Sequence, residues 1–296
     1  MQALAAALEL GALPGPPVLF RLPDLPLVVQ GAYMAAGDLA EVRTLPWADA
    51  TPARAFAPAS AFARVIDMRD FAFDPAFRGV AMIDFFLARL GLDPGRVPPA
   101  LRRNSWLARR VPAAPWPTLP HGYALVCPRT SMRLRDMPEA VHAAVLDALT
   151  AAGLPVLTQG AARPGVLAAL PAADFAGLCG LVAGAAIMVS ADTAMPHLAD
   201  AFGVPCLALF TTHRPEWRVR DYPLCHSVHL PAALPAALEF SESAVDLAAA
   251  EAAWFPRGTD LTWLHRALTS FLGKVVPQPT SICIHATGTA TSQRTK

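Results

Sequence analysis

Ser190-Ala191-Asp192-Thr193-Ala194-Met195-Pro196-His197-Leu198-Ala199-Asp200-Ala201-Phe202-Gly203-Val204-Pro205 is the stretch on which the reading of this chain turns. Before it lies the apolar run Ala186–Ser190, which reads as a buried strand. That strand runs straight into Asp192 and Thr193. The spacing then predicts a short helix over 195–202, with Pro196 in its first turn and Gly203 as its stop. A second buried strand follows over 204–210. A helix that starts at the carboxyl end of a buried strand leaves backbone N–H groups and a positive dipole end facing the same edge, which suits an anion. Asp192 or Thr193 can cap that helix, and His197 lies near its start. The plainer reading of the same residues is a capped helix with a surface histidine.

Working outward, 121–210 alternates helices with uninterrupted apolar strands. Tyr123–Val126 reads as a strand. Asp136-x-x-Glu139 reads as a capping box with Pro138 in the first turn. The helix after it carries Val141, Ala144, Val145, Ala148 and Leu149 on one face and stops at Gly153. Pro155–Thr158 is the next strand, and Phe175–Ala183 the next helix. This alternation specifies an α/β fold with a parallel sheet covered on both faces. Ligands of such sheets bind at the carboxyl ends of the strands. Two further loops leave the same edge. One is Cys127-Pro128-Arg129-Thr130-Ser131-Met132-Arg133-Leu134-Arg135, whose hydroxyls and guanidinium forks suit phosphate oxygens. The other is Thr211-Thr212-His213-Arg214-Pro215-Glu216-Trp217-Arg218. Each alone also reads as a solvated loop, and their convergence favours a site.

The N-terminal part is less legible. Thirty prolines punctuate the chain, densely before residue 120. Leu27–Val29, Ala40–Leu45 and Ala63–Asp67 read as short strands. Residues 80–91 carry Met82, Phe85, Phe86 and Leu90 at helical spacing, with Gly91 as a stop. Residues 97–120 read as a proline- and arginine-rich linker, or as a surface loop. After 229 the chain is Ala/Leu-rich and partly helical, with a last amphipathic helix over 262–272. Residues 275–296 are polar and aperiodic, and a disordered tail is expected.

The 296 residues are 54% hydrophobic and 16% charged, with a net charge of +1. That composition supports a sizeable core, argues against disorder and supplies no field for nucleic acid. The cysteines at 127, 179, 206, 225 and 283 form no C-x-x-C pair and read as inert thiols in a reducing compartment. No secretory signal or metal site is indicated: Glu9 interrupts the apolar start, and the eight histidines form no H-E-x-x-H. The uncharged run between Asp174 and Asp192 reads as a buried helix followed by a strand rather than as a membrane span. Gly160–Gly165 has phosphate-loop glycine spacing but lacks the Lys and Ser/Thr that should follow. The G-x-G-x-x-G and G-x-S-x-G patterns are absent.

At these residues the sequence resembles glycosyltransferase family 9, the ADP-heptose:lipopolysaccharide heptosyltransferases. The family pattern V-S-x-D-T-x-x-x-H-L-A-x-A-x-G-x-P stands here as VSADTAMPHLADAFGVP, followed by a strand ending in Phe210. Thr130-Ser131 and Arg135-Asp136-Met137-Pro138 are similar to the family's Thr/Ser-rich segment and its Lys-x-Trp-Pro, with arginine for lysine. The resemblance covers 120–225 well and 60–95 loosely. It implies a GT-B-like α/β fold of two Rossmann-like lobes, with an acceptor-side N-terminal lobe (1–115), here reduced, and a nucleotide-sugar-binding lobe (120–274). It implies inverting, metal-independent sugar transfer with no cofactor, from a nucleoside-diphosphate sugar to a glycan or glycolipid. A cytoplasmic location follows, with peripheral membrane contact where the acceptor is a lipid. Carried over by position, Thr130, Ser131, Arg133 and Arg135 meet the donor phosphates. Asp192, Thr193, Ala194 and His197 lie at the diphosphate and sugar, and Ala194 stands for a common glycine. The candidate catalytic residues are His197 and Asp38, the latter because Gly37-Asp38 stands for the family's base loop; those two residues also read as a turn. The rival readings are a catalytically inactive sugar-nucleotide-binding or partner-binding protein on this fold, and a different sugar-nucleotide enzyme such as an epimerase.

Overall fold

The computed structural model describes residues 1–13, 15–46, 64–68, 71–113, 116, 118–120, 122–168, 172, 174–235, 238 and 240–275. The expected tail beyond 275, Cys283 and Ala63 lie outside them.

Among the described residues, six parallel strands form the main sheet: β3 (Tyr123–Cys127), β4 (Val156–Thr158), β5 (Val166–Ala168), β6 (Ala185–Ala191), β7 (Cys206–Phe210) and β8 (Cys225–His229), in the order β5-β4-β3-β6-β7-β8. Alternate residues supply the two faces, as the pleat requires. Tyr123, Leu125, Cys127, Met188, Cys206, Ala208 and Phe210 point into one core. Ala124, Val126, Ile187, Val189, Leu207 and Leu209 point into the other. The first core is closed by α6 (Phe175–Ala183) and α7 (Met195–Phe202), the second by α5 (Glu139–Ala151) and α10 (Thr262–Val275). The central strands β3, β4, β6 and β7 are buried on both faces almost throughout, which is why they read as unbroken apolar runs. The run between Asp174 and Asp192 is a helix followed by a strand, as expected, and no described helix is long and apolar enough to cross a membrane.

The helix ends show their chemistry. Asp174 Oδ1 accepts from Gly177 N–H at 2.7 Å to cap α6. Gly203 ends α7 at φ +69°, a left-handed conformation that a side chain would strain. The expected capping box at α5 is absent. Its N-cap is Pro138, and Asp136 turns back to accept from Thr130 N–H at 2.7 Å and Arg129 Nη1 at 3.3 Å. The carboxylate is used by its own loop before the helix begins.

The N-terminal part holds a small β-α-β unit. Strands β1 (Val18–Arg21) and β2 (Glu41–Thr44) pair in parallel, joined by α2 (Leu27–Ala35). The 40–45 strand is therefore present, but Leu27–Val29 is helix. A short apolar run does not separate the two by itself; tertiary packing decides. Val28 and Ala35 pack on the first core, and Gly31 meets the Phe175 ring so closely that no Cβ would fit. Residues 64–68 form no regular structure, so no described part of 63–67 is a strand. Helix α3 (Met82–Arg89) stands where the spacing placed it, but its buried stripe includes Ile83 and Leu87, which pack against α1 (Gln2–Glu9). Neither α1 nor the edge strands β5 and β8 was apparent in the sequence.

The proline-rich stretch 97–120 is more than a linker. Residues Ser105–Ala108 form α4, and Trp106 and Leu107 are buried in the first core, where α4 packs against α7.

Candidate functional site

Strands β3, β6 and β7 are neighbours in the sheet, so the three loops leaving their carboxyl ends meet. At their centre is Asp192, 4% exposed. His213 donates from Nδ1 to Asp192 Oδ2 at 2.9 Å, and Arg135 Nη1 lies 3.7 Å from the same oxygen. Burial alone would raise the Asp192 pKa. The His213 hydrogen bond, with the charges of Arg135 and Arg218, outweighs it and holds the carboxyl below its usual range. One residue from each loop thus builds the centre. It does not cap α7, as Asp192 or Thr193 was expected to do. The N-cap is Ala194, and no side chain caps the helix, so its first turn keeps its anion-binding character.

Arg135 ends a 3₁₀ turn over Arg133–Arg135. Its guanidinium reaches Ser131 Oγ at 3.5 Å as well as Asp192, while its Nε is buried with no hydrogen-bond partner. A buried donor without a partner costs free energy, and here it belongs to a cation beside a helix N-terminus. Thr130 holds its own loop in shape, accepting from Met132 N–H at 3.0 Å. Arg133 is exposed, and no described residue pairs with it.

His197 lies in the first turn of α7, partly exposed. Its Nδ1 is 2.6 Å from the Tyr222 hydroxyl, and the two rings meet edge to face at 5.5 Å. Loss of water around the ring pushes its pKa down to about 4 against the attraction of Asp192, with Arg218 pushing the same way. The ring is therefore neutral at pH 7, whereas Arg135 and Arg218 act on Asp192 as fixed cations. An unfolded His197 takes up a proton near pH 6.5 and the folded one near pH 4. The unfolded state then binds more protons inside that window, so stability is complete above pH 6.5 and falls as the pH drops towards 4. His197→Gln is expected to flatten the melting temperature against pH across this window; parallel curves for variant and wild type would contradict the assignment.

Arg218 ends α8 (Pro215–Arg218) and lies 5.5 Å over the Phe77 ring, while Arg220 holds both oxygens of Asp84 at 2.7 and 2.9 Å. The N-terminal part is thereby tied to the loop beside the site. Asp38 is not drawn in among these groups. It sits on the turn between α2 and β2, at the amino end of β2, and Arg110 Nε holds both its oxygens at 2.9 Å. Beyond the candidates predicted from the sequence, the structure adds His213, Arg218, Tyr222, Asn104 and Asp200. His213 and Arg218 lay in a loop already singled out by position. The others pair across stretches of chain that leave no local signal.

Residues 86–230 match the family model "Glycosyltransferase family 9 (heptosyltransferase)". No curated protein sequence matches the chain. Among solved structures, the iron-containing dodecameric glycosyltransferase TibC from enterotoxigenic E. coli is 14% identical over 88% of this chain and 76% of its own, with a TM-score of 0.53. The E. coli heptosyltransferase WaaC with ADP is 16% identical over 67% of this chain, with a TM-score of 0.38, and the chain spans 63% of its length. E. coli ADP-heptose LPS heptosyltransferase II is 12% identical over 91% of this chain and 80% of its own, with a TM-score of 0.42. The likeness to TibC is one of fold.

Proposed function

We propose, from the premise that residues 86–230 make this chain a glycosyltransferase family 9, heptosyltransferase-like protein, that it moves a sugar from a nucleoside-diphosphate donor to a cell-envelope glycan or glycolipid. Heptose is the first sugar to try. The observation that carries this reading is the meeting of Arg135, Asp192 and the uncapped start of α7 at one sheet edge. A diphosphate seated there faces backbone N–H groups and arginines. Negative charge grows on it as the sugar bond breaks, so these groups favour the transition state over the ground state. Ser131, Thr193, Ala194 and His197 surround the same place, and Arg133 would reach in from the exposed loop.

On this reading the donor side is 120–274 and the acceptor side 1–115. Fixed arginines in place of a metal make the transfer metal-independent, and a single displacement on a donor held from one side inverts the anomeric centre. The site would then work from the cytoplasm, at the inner membrane face where the acceptor is a lipid. A second reading, donor binding without transfer, is favoured by one observation. Asp38, the proposed base, is already bound to Arg110 at the surface.

The test is thermal stabilisation by ADP-, GDP- and UDP-linked sugars. At a hundredfold excess over Kd the right donor adds about 2.7 kcal/mol, which is several degrees in melting temperature for a chain of this size. No shift with any of them, in a protein that melts cooperatively, would overturn the proposal. A shift without turnover would select the second reading.

A further inference from the structure

We infer that Asn104 and Tyr222 are positioning residues that lock His197 as the tautomer with its proton on Nε2, so that it serves the ligand as a neutral hydrogen-bond donor and not as a base. The tautomer follows from hydrogen-bond polarity alone; the role toward the ligand rests on the donor site proposed above.

Asp200 lies three residues beyond His197 on α7 and is 5% exposed. Its carboxylate receives Arg103 Nε at 3.0 Å, Asn104 N–H at 2.7 Å and Asn104 Nδ2 at 3.3 Å. Burial raises its pKa, against the pull of these donors. A carboxylate so surrounded only accepts, which fixes the Asn104 amide with its NH₂ group turned to Asp200. The same nitrogen lies 2.7 Å from the Tyr222 hydroxyl. Its second proton goes there, and the phenol oxygen is an acceptor on that side.

Tyr222 has one proton left to give, and its remaining partner is His197 Nδ1 at 2.6 Å. Burial pushes the phenol pKa up, so that proton stays on oxygen. Nδ1 is therefore the bare nitrogen of a neutral ring, and Nε2 carries the hydrogen. The opposite polarity would put Nδ1–H and Asn104 N–H on the same oxygen and leave the phenol proton without an acceptor. The donors run one way, from Asn104 through Tyr222 to His197. No hydrogen bond among the described residues engages Nε2. It is free to donate to a diphosphate oxygen or sugar hydroxyl at the start of α7.

Histidine ring nitrogens report their protonation directly in long-range proton–nitrogen correlation spectra of the labelled protein, with His197→Gln assigning the signal. At pH 7 without ligand the expected result is a bare Nδ1 and a protonated Nε2. In Tyr222→Phe, which keeps the ring, both tautomers should appear, and donor affinity should fall roughly 3- to 10-fold, the loss of one neutral hydrogen bond's worth of organisation. Asn104→Ala should move the signal the same way. A protonated Nδ1 in the wild type, or an unchanged tautomer in Tyr222→Phe, would overturn the inference. These spectra need no sugar nucleotide. A bare Nδ1 in a protein that binds none would sink the donor site and keep the tautomer, whereas donor binding with a protonated Nδ1 would do the reverse.

Discussion

Asp192→Ala is expected to abolish donor binding and to lower stability by about 3–5 kcal/mol, the usual cost of removing one partner from a buried ionic cluster. The side chain is almost fully buried, and its Oδ2 is shared by His213 and Arg135. Without it, Arg135 has only the weak Ser131 contact at 3.5 Å and a buried Nε with no partner. A guanidinium in that condition swings towards water and leaves the start of α7. The binding loss and the stability loss then share one cause. Asp192→Asn separates them. It keeps the shape and one acceptor, so it should cost less stability, about 1–3 kcal/mol, while still weakening the hold on Arg135. Denaturant unfolding of both variants beside a donor titration checks this. If Asp192→Ala unfolds within 0.5 kcal/mol of wild type, on the order of an ordinary surface change, the buried cluster is wrongly drawn.

The same cluster shows what the sequence could reveal. Asp192, Arg135 and His197 could be placed at one edge because each lies between the end of a buried apolar strand and the first turn of the next helix, and a parallel sheet brings such connections together. Helices α6 and α7 were legible to their ends because Asp174, Gly203 and the runs between them act locally. Asp136 shows the limit of local signals. Its spacing to Glu139 fits a cap, but the loop before it offered closer donors, and geometry decided for Thr130. In the N-terminal part, β2 was legible as the strand over 40–45, but β1 has four residues, too short for a period to declare itself. Helix α2 packs its Gly31 against the Phe175 ring, far along the chain. Asn104, Asp200 and Tyr222 carry no pattern at all, since their meaning lies in pairings 96 and 118 residues apart.

Trp106 puts the boundary between the two parts to the test. As part of a proline-rich linker it would be a surface residue, and its loss would change stability by less than about 0.5 kcal/mol. In the structure it is 4% exposed, in the core beneath α7. Trp106→Ala should therefore cost about 3–5 kcal/mol, the range for a buried aromatic. Its Nε1 is buried with no partner, so the indole gains from apolar contact and loses at its one polar atom. Trp106→Phe removes that donor and keeps most of the contact, and should lie within about 1.5 kcal/mol of wild type. Because Asn104 stands just before α4, the alanine variant should also loosen the Asn104–Tyr222 contact and reduce donor affinity, which the phenylalanine variant should not. Equal stability loss in the two variants would mean that Nε1 has a partner in solution. No loss in either would return 97–120 to the role of a linker.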